Sequence, residues 1–103
     1  MTELFAFALK SPLRGGGWGN GYVAIPVGHP LHGKDYLEID NIDVNGGLTY
    51  SEPYDEKRDP IEAVGMWIVG FDTLHSWDTI ERWPDEESIL KECEALKAQL
   101  ITT

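Results

Sequence analysis

The sequence predicts an α+β domain: a mainly antiparallel sheet of about four strands, with a C-terminal helix packed on one face. Three observations predict it. Strand-like apolar segments at 5–9, 22–25 and 66–71 are each bounded by glycine, proline or acidic residues. An amphipathic helical stripe follows Asp85. Glycine- and proline-rich breaks punctuate the first half. A chain of 103 residues is one domain, 1–103, with a single modest core.

The elements follow in order. Phe5, Phe7 and Leu9 alternate with smaller residues, which is the period of a strand. That apolar run is too short to span a bilayer and carries no basic leader, so a cytoplasmic protein of the host cytosol, off the membrane, is expected. Ser11 to Gly21 reads as a wide hairpin loop. No Lys-Ser/Thr pair and no helical pattern follow it, so it matches neither a P-loop nor a dinucleotide fingerprint. Tyr22–Ile25 is a strand ended by Pro26. Gly28–Lys34 is an irregular loop carrying His29, His32 and Lys34, with Pro30 biasing His29 toward extended backbone.

Ile39 to Ser51 admits two readings. Asn45-Gly46 could close a tight hairpin, or the glycines could bend one long strand. The short flanking arms favour the bent strand. Glu52 to Pro60 reads as a solvated charged loop. Met66–Phe71, apolar on both faces, reads as a central strand. Thr73 to Trp83 is a connection rich in aromatic side chains. Asp85 caps a helix opening with Glu86 and Glu87, whose charge suits the positive helix end. Ile89, Cys93, Leu96 and Leu100 form its buried stripe.

Charge narrows the function. A formal net charge of −10 disfavours nucleic acid and anionic membranes, both of which demand a basic face. It suits a protein partner with a basic surface. The single cysteine, Cys93, cannot form an internal disulfide and sits in the core stripe rather than as a nucleophile.

The densest chemistry is Asp72, His75 and Asp78, three apart, at the end of the apolar run. As metal ligands they suit zinc, iron or manganese, with His29 or His32 as a further donor. As an acid–base set, Asp72 would orient His75, but no marked serine or cysteine nucleophile accompanies them. As loop organisers, Asp72 would accept backbone N–H bonds and His75 would bond to it. A fourth arrangement is a pocket walled by Tyr22, Tyr50, Trp67 and Trp77, with His29, Lys34 and His75 as directed donors.

Three segments also carry a resemblance. Gly21–Pro26 with Gly28–Lys34 and Tyr36, Val44–Tyr50, and Trp67–His75 with Asp78 are similar, in that order, to small uncharacterised proteins of tailed phages and prophages. The likeness covers roughly residues 21–100. Those proteins often carry tyrosine at position 32, histidine at 45 and a small residue at 77. The resemblance therefore points to His29, Lys34, Asp72, His75 and Asp78 rather than His32 or Trp77. It implies a phage-type accessory protein.

Together these readings predict a small acidic phage-type accessory protein, a non-enzymatic binding or inhibitor protein acting on a host protein or a small ligand. No cofactor is predicted. Its ligand-binding residues are expected to be His29, Lys34, Tyr50, Trp67, Asp72, His75 and Asp78, brought together as two loops meeting at one end of the sheet. The alternative is a small metal-dependent hydrolase using Asp72, His75 and Asp78.

Overall fold

A computed structural model describes residues 3–12 and 15–102. Strands β1 (Phe5–Lys10), β2 (Gly19–Ile25), β3 (Tyr50–Pro53) and β4 (Trp67–Phe71) form one antiparallel sheet in the order β1-β2-β4-β3. Helix α1 (Glu86–Ile101) packs against β1 and β2. This is the α+β architecture expected from the sequence. The glycine-rich segment is a hairpin connection, as expected, although β2 begins at Gly19 and absorbs its end. Residues 13 and 14 of that segment lie outside the described residues. Among the described residues, no helix is long and apolar enough to cross a membrane.

The two-residue period of the strands divides the apolar side chains between two faces. Ala8, Val23, Ile25, Val69 and Phe71 meet Ile89, Cys93, Leu96 and Leu100 of α1. Phe7, Tyr22, Ala24 and Ile68 meet Ala63 and Met66 on the other face. The central strands β2 and β4 are apolar on both faces because both faces are covered.

Helix α1 starts where its cap dictates. The Asp85 carboxylate accepts the Ser88 N–H at 2.9 Å, with Glu86 and Glu87 in the first turn. Burial pushes the Cys93 thiol up to about 12, which keeps it protonated and unreactive.

Two expectations are corrected. Residues 39–48 form neither a bent strand nor a hairpin; only Tyr50–Pro53 joins the sheet. Ile39 and Val44 are plugs in the helix-side core, supported by Ile42 and Leu48. Their backbone is held by a turn, Gly47 N–H to Val44 O at 2.9 Å, and by the Gln99 side chain, which bonds both Asp43 N and Asp43 O at 2.7 Å. Apolar spacing over so few residues does not separate a strand from an irregular plug.

The charged 52–60 loop is also not simply solvated. Asp59 is buried, and Arg58 contacts its carboxylate at 2.9 Å. The Arg58 guanidinium lies 4.6 Å from the Tyr22 ring centre and 4.2 Å from that of Tyr50.

The closeness of α1 to the sheet is readable at Gly21, where an added Cβ would strike the Cys93 sulfur and the Phe71 ring. Gly21→Val is expected to cost roughly 1–3 kcal/mol of stability through overpacking. Denaturant unfolding checks it. An unchanged midpoint would contradict the close approach.

Candidate functional site

Antiparallel pairing of β2 with β4 decides where the polar loops lie. The chain leaves β2 at Ile25, opposite Trp67, and leaves β4 at Phe71, opposite Gly21. The loops 28–34 and 72–78 therefore lie at opposite ends of the sheet, a strand length of about 13 Å apart. The expected convergence does not occur.

At the first end, the Trp67 indole N–H donates to the Lys34 carbonyl at 2.8 Å, and His29 Nδ1 accepts the Leu31 N–H at 3.1 Å. The Lys34 side chain is exposed. His32 Nδ1 lies 2.9 Å from the Ile25 carbonyl. These contacts hold the loop against β2 and β4 and leave it folded close to the sheet. Tyr50 is elsewhere, edge-on to Tyr22 with ring centres 5.5 Å apart, on the face opposite Trp67. No single pocket unites Tyr22, Tyr50, Trp67, Trp77, His29, Lys34 and His75.

At the second end, Asp72, His75 and Asp78 do come together, with Asp78 at the centre. Its side chain is fully buried. Oδ1 accepts Trp83 Nε1–H at 2.9 Å and Asn45 Nδ2–H at 3.0 Å. Oδ2 accepts the His75 backbone N–H at 3.0 Å and lies 2.8 Å from His75 Nδ1. Burial alone would raise the Asp78 pKa. The hydrogen bonds from the His75 ring and backbone, Trp83 and Asn45 outweigh it and hold the carboxyl below its ordinary value of 3.8. Opposite an ionised Asp78, His75 Nδ1 is the donor of their contact.

Asp72 plays the turn-capping part expected of it, accepting the Leu74 N–H at 3.0 Å. It does not orient His75, since its Oδ1 is 3.6 Å from Nδ1 while Asp78 is at 2.8 Å.

Asn45 ties this loop to the rest of the fold. Its side-chain amide donates to Asp78, its Oδ1 accepts Trp77 Nε1–H at 3.0 Å, and its backbone N–H donates to Glu92 Oε2 of α1 at 2.8 Å. Gly46 follows with φ +69°, and a Cβ there would collide with the Cε1–Nε2 side of the His75 ring. The ring stacks on Trp77, centres 4.4 Å apart and planes 8° apart. Trp77 is nevertheless 51% exposed, and Leu74 and Ile80 of the same loop are exposed as well.

Asn45, Gly46 and Trp83 escaped the sequence reading as partners of this site. Asn45 is 33 residues from Asp78, and its only local signal was that of a turn. Trp83 registered as aromatic weight, without a partner for its N–H.

As a metal set, one donor atom from each of Asp72, His75 and Asp78 lies within 4.8 Å of the others. The donor chemistry fits an ion poorly. Nδ1 and Oδ2, 2.8 Å apart, share a proton, whereas tetrahedral ligands about 2.0–2.1 Å from zinc sit roughly 3.3 Å apart. Both Asp78 oxygens already accept two hydrogen bonds at 2.8–3.0 Å.

Comparison with family models, curated proteins and solved structures finds no match at any of the three levels.

Asp78→Ala leaves the Trp83, Asn45 and His75 donors facing a void and is expected to cost about 3 kcal/mol near neutral pH. The pKa is lower in the folded state, so the stabilisation is complete above the unfolded value and lost as pH falls through the folded one. The gap between wild type and Asp78→Ala should therefore narrow below about pH 4. Urea titrations across that range measure it, and a gap that widens in acid contradicts the assignment.

Proposed function

We propose that this chain is a small, acidic, non-enzymatic binding protein that docks on a basic surface of a host protein, with Trp77 as its anchor. The observation that carries the reading is the state of Trp77. Its indole N–H is bonded to Asn45 and its ring is stacked on His75, yet half of its surface faces solvent. An aromatic ring held in place before binding loses little conformational freedom on docking, and such residues dominate interface energetics. Leu74 and Ile80 of the same loop are exposed as well, and the net charge of −10 complements a basic partner. His75 and Asp78 serve as the support of the anchor, and Asp72 supplies an acidic rim.

The resemblance to small phage and prophage proteins supports an accessory role in the host cytosol. Trp77 stands where those proteins commonly carry a small residue, so the anchor would set this chain's own choice of partner.

The test is capture from bacterial lysate on wild-type, Trp77→Ala and Lys34→Ala proteins, followed by direct titration of each purified partner. The reading expects a basic partner that binds wild type and Lys34→Ala alike. It expects Trp77→Ala to lose at least about 2 kcal/mol of affinity, roughly thirtyfold. A partner indifferent to Trp77→Ala contradicts it.

The metal-dependent hydrolase is the second reading, favoured only by the proximity of the three donor atoms. Metal analysis of protein purified without chelator, with melting curves in added zinc or manganese, separates the two. The binding reading expects no bound ion and no shift. One tightly held ion per chain overturns it.

A further inference from the structure

We infer that the free edge of β1 is a second dock, which takes an extended basic segment of a protein partner as a fifth strand of the sheet. The inference rests on the binding reading for its class of partner, but not on Trp77 for its site.

The two sheet edges differ. β3 has four residues, ends in Pro53, and its Ser51 hydroxyl is already occupied by the Tyr36 N–H at 3.0 Å. Short length and proline are the usual protections of an edge. β1 has six residues, no proline, and no charge before Lys10.

The pairing phase shows which groups are free. Ser11 N–H donates to the Trp18 carbonyl at 3.0 Å, continuing the register that sets Leu9 opposite Asn20 and Phe7 opposite Tyr22. Bonded pairs alternate along an antiparallel ladder. Phe5, Phe7 and Leu9 therefore turn their backbone groups toward β2, while Ala6, Ala8 and Lys10 direct theirs outward. Among the described residues, no hydrogen bond meets those outward groups.

A groove of roughly 390 Å³ runs along this edge. Arg58, Asp59 and Glu62 wall it from one face of the sheet, and Glu86 and Leu90 from the helix face. Ala6 and Ala8 are short and leave room on the helix side. Half-buried Phe5, stacked on buried Phe7 with centres 5.9 Å apart, offers an apolar step on the other. Arg58 is matched by Asp59, whereas exposed Glu62 and Glu86 have no ion-pair partner among the described residues. A second copy would bring its own Glu62 and Glu86 into the same groove, on a chain of net charge −10. Charge thus selects a strand alternating apolar residues with lysine or arginine.

The probe is a blocked peptide of about eight residues alternating lysine and valine, with a glutamate–valine peptide as control. Amide exchange is read residue by residue on the whole chain. The lysine–valine peptide is expected to slow exchange at Ala6, Ala8 and Lys10 by about tenfold or more, and the glutamate–valine peptide to leave it unchanged. Ala6→Pro removes an outward N–H without breaking a bond to β2 and should abolish this protection. A Glu62→Lys/Glu86→Lys variant, altered only at exposed positions, should do the same while keeping the fold. Protection absent at millimolar peptide, or confined to other residues, overturns the dock. Protection of the same amides by self-association alone overturns the choice of occupant. Neither result touches the Trp77 reading, which fails if partner affinity survives Trp77→Ala.

Discussion

The Asp78 carboxylate is sealed from solvent and receives Trp83 Nε1–H, Asn45 Nδ2–H, the His75 backbone N–H and the His75 ring. A buried carboxylate without donors would cost many kcal/mol and would take up a proton instead. Here each donor is itself a side chain or loop amide that needs an acceptor once buried. The charge and its donors therefore require one another. This mutual requirement fixes a connection from 72 to 83 that has no regular secondary structure.

What the carboxylate organises extends in two directions. Through Trp83 the loop closes over the helix-side core, where Trp83 is buried and its backbone carbonyl accepts the Trp18 N–H at 2.7 Å. Through Asn45 it grips the 44–47 turn, which is tied in turn to Glu92 of α1. Thr73, also fully buried, donates its hydroxyl to the Gly19 carbonyl at 2.7 Å and locks the same loop to the start of β2. The exposed indole of Trp77 is held in place by residues whose own positions are already determined. That is how an irregular loop can present a rigid surface.

The elements legible in the sequence were those defined by local chemistry. Asp85 with its acidic first turn and the Ile89–Cys93–Leu96–Leu100 stripe specified α1, and the apolar Met66–Phe71 run specified β4. Illegible were the features set by distant partners. Residues 39–48 look strand-like because Ile42 and Val44 alternate, yet Gln99 and Glu92 of the helix hold their backbone. The two polar loops looked like one site because each adjoins a good strand. The direction of pairing separates them, and nothing in the loops themselves encodes it. Asp72 was expected to orient His75; burial and the Trp83 bond give that part to Asp78 instead.

The account depends on Asp78 staying ionised inside the protein. Carbon NMR of its side-chain carboxyl, followed from neutral pH into acid, tests this most directly. The account expects a single transition with a midpoint below 3.8, the carboxyl resonance remaining that of the anion at every higher pH. A midpoint above 3.8 would mean that burial outweighs the donors, and that a protonated, rather than charged, Asp78 sits at the centre of the loop.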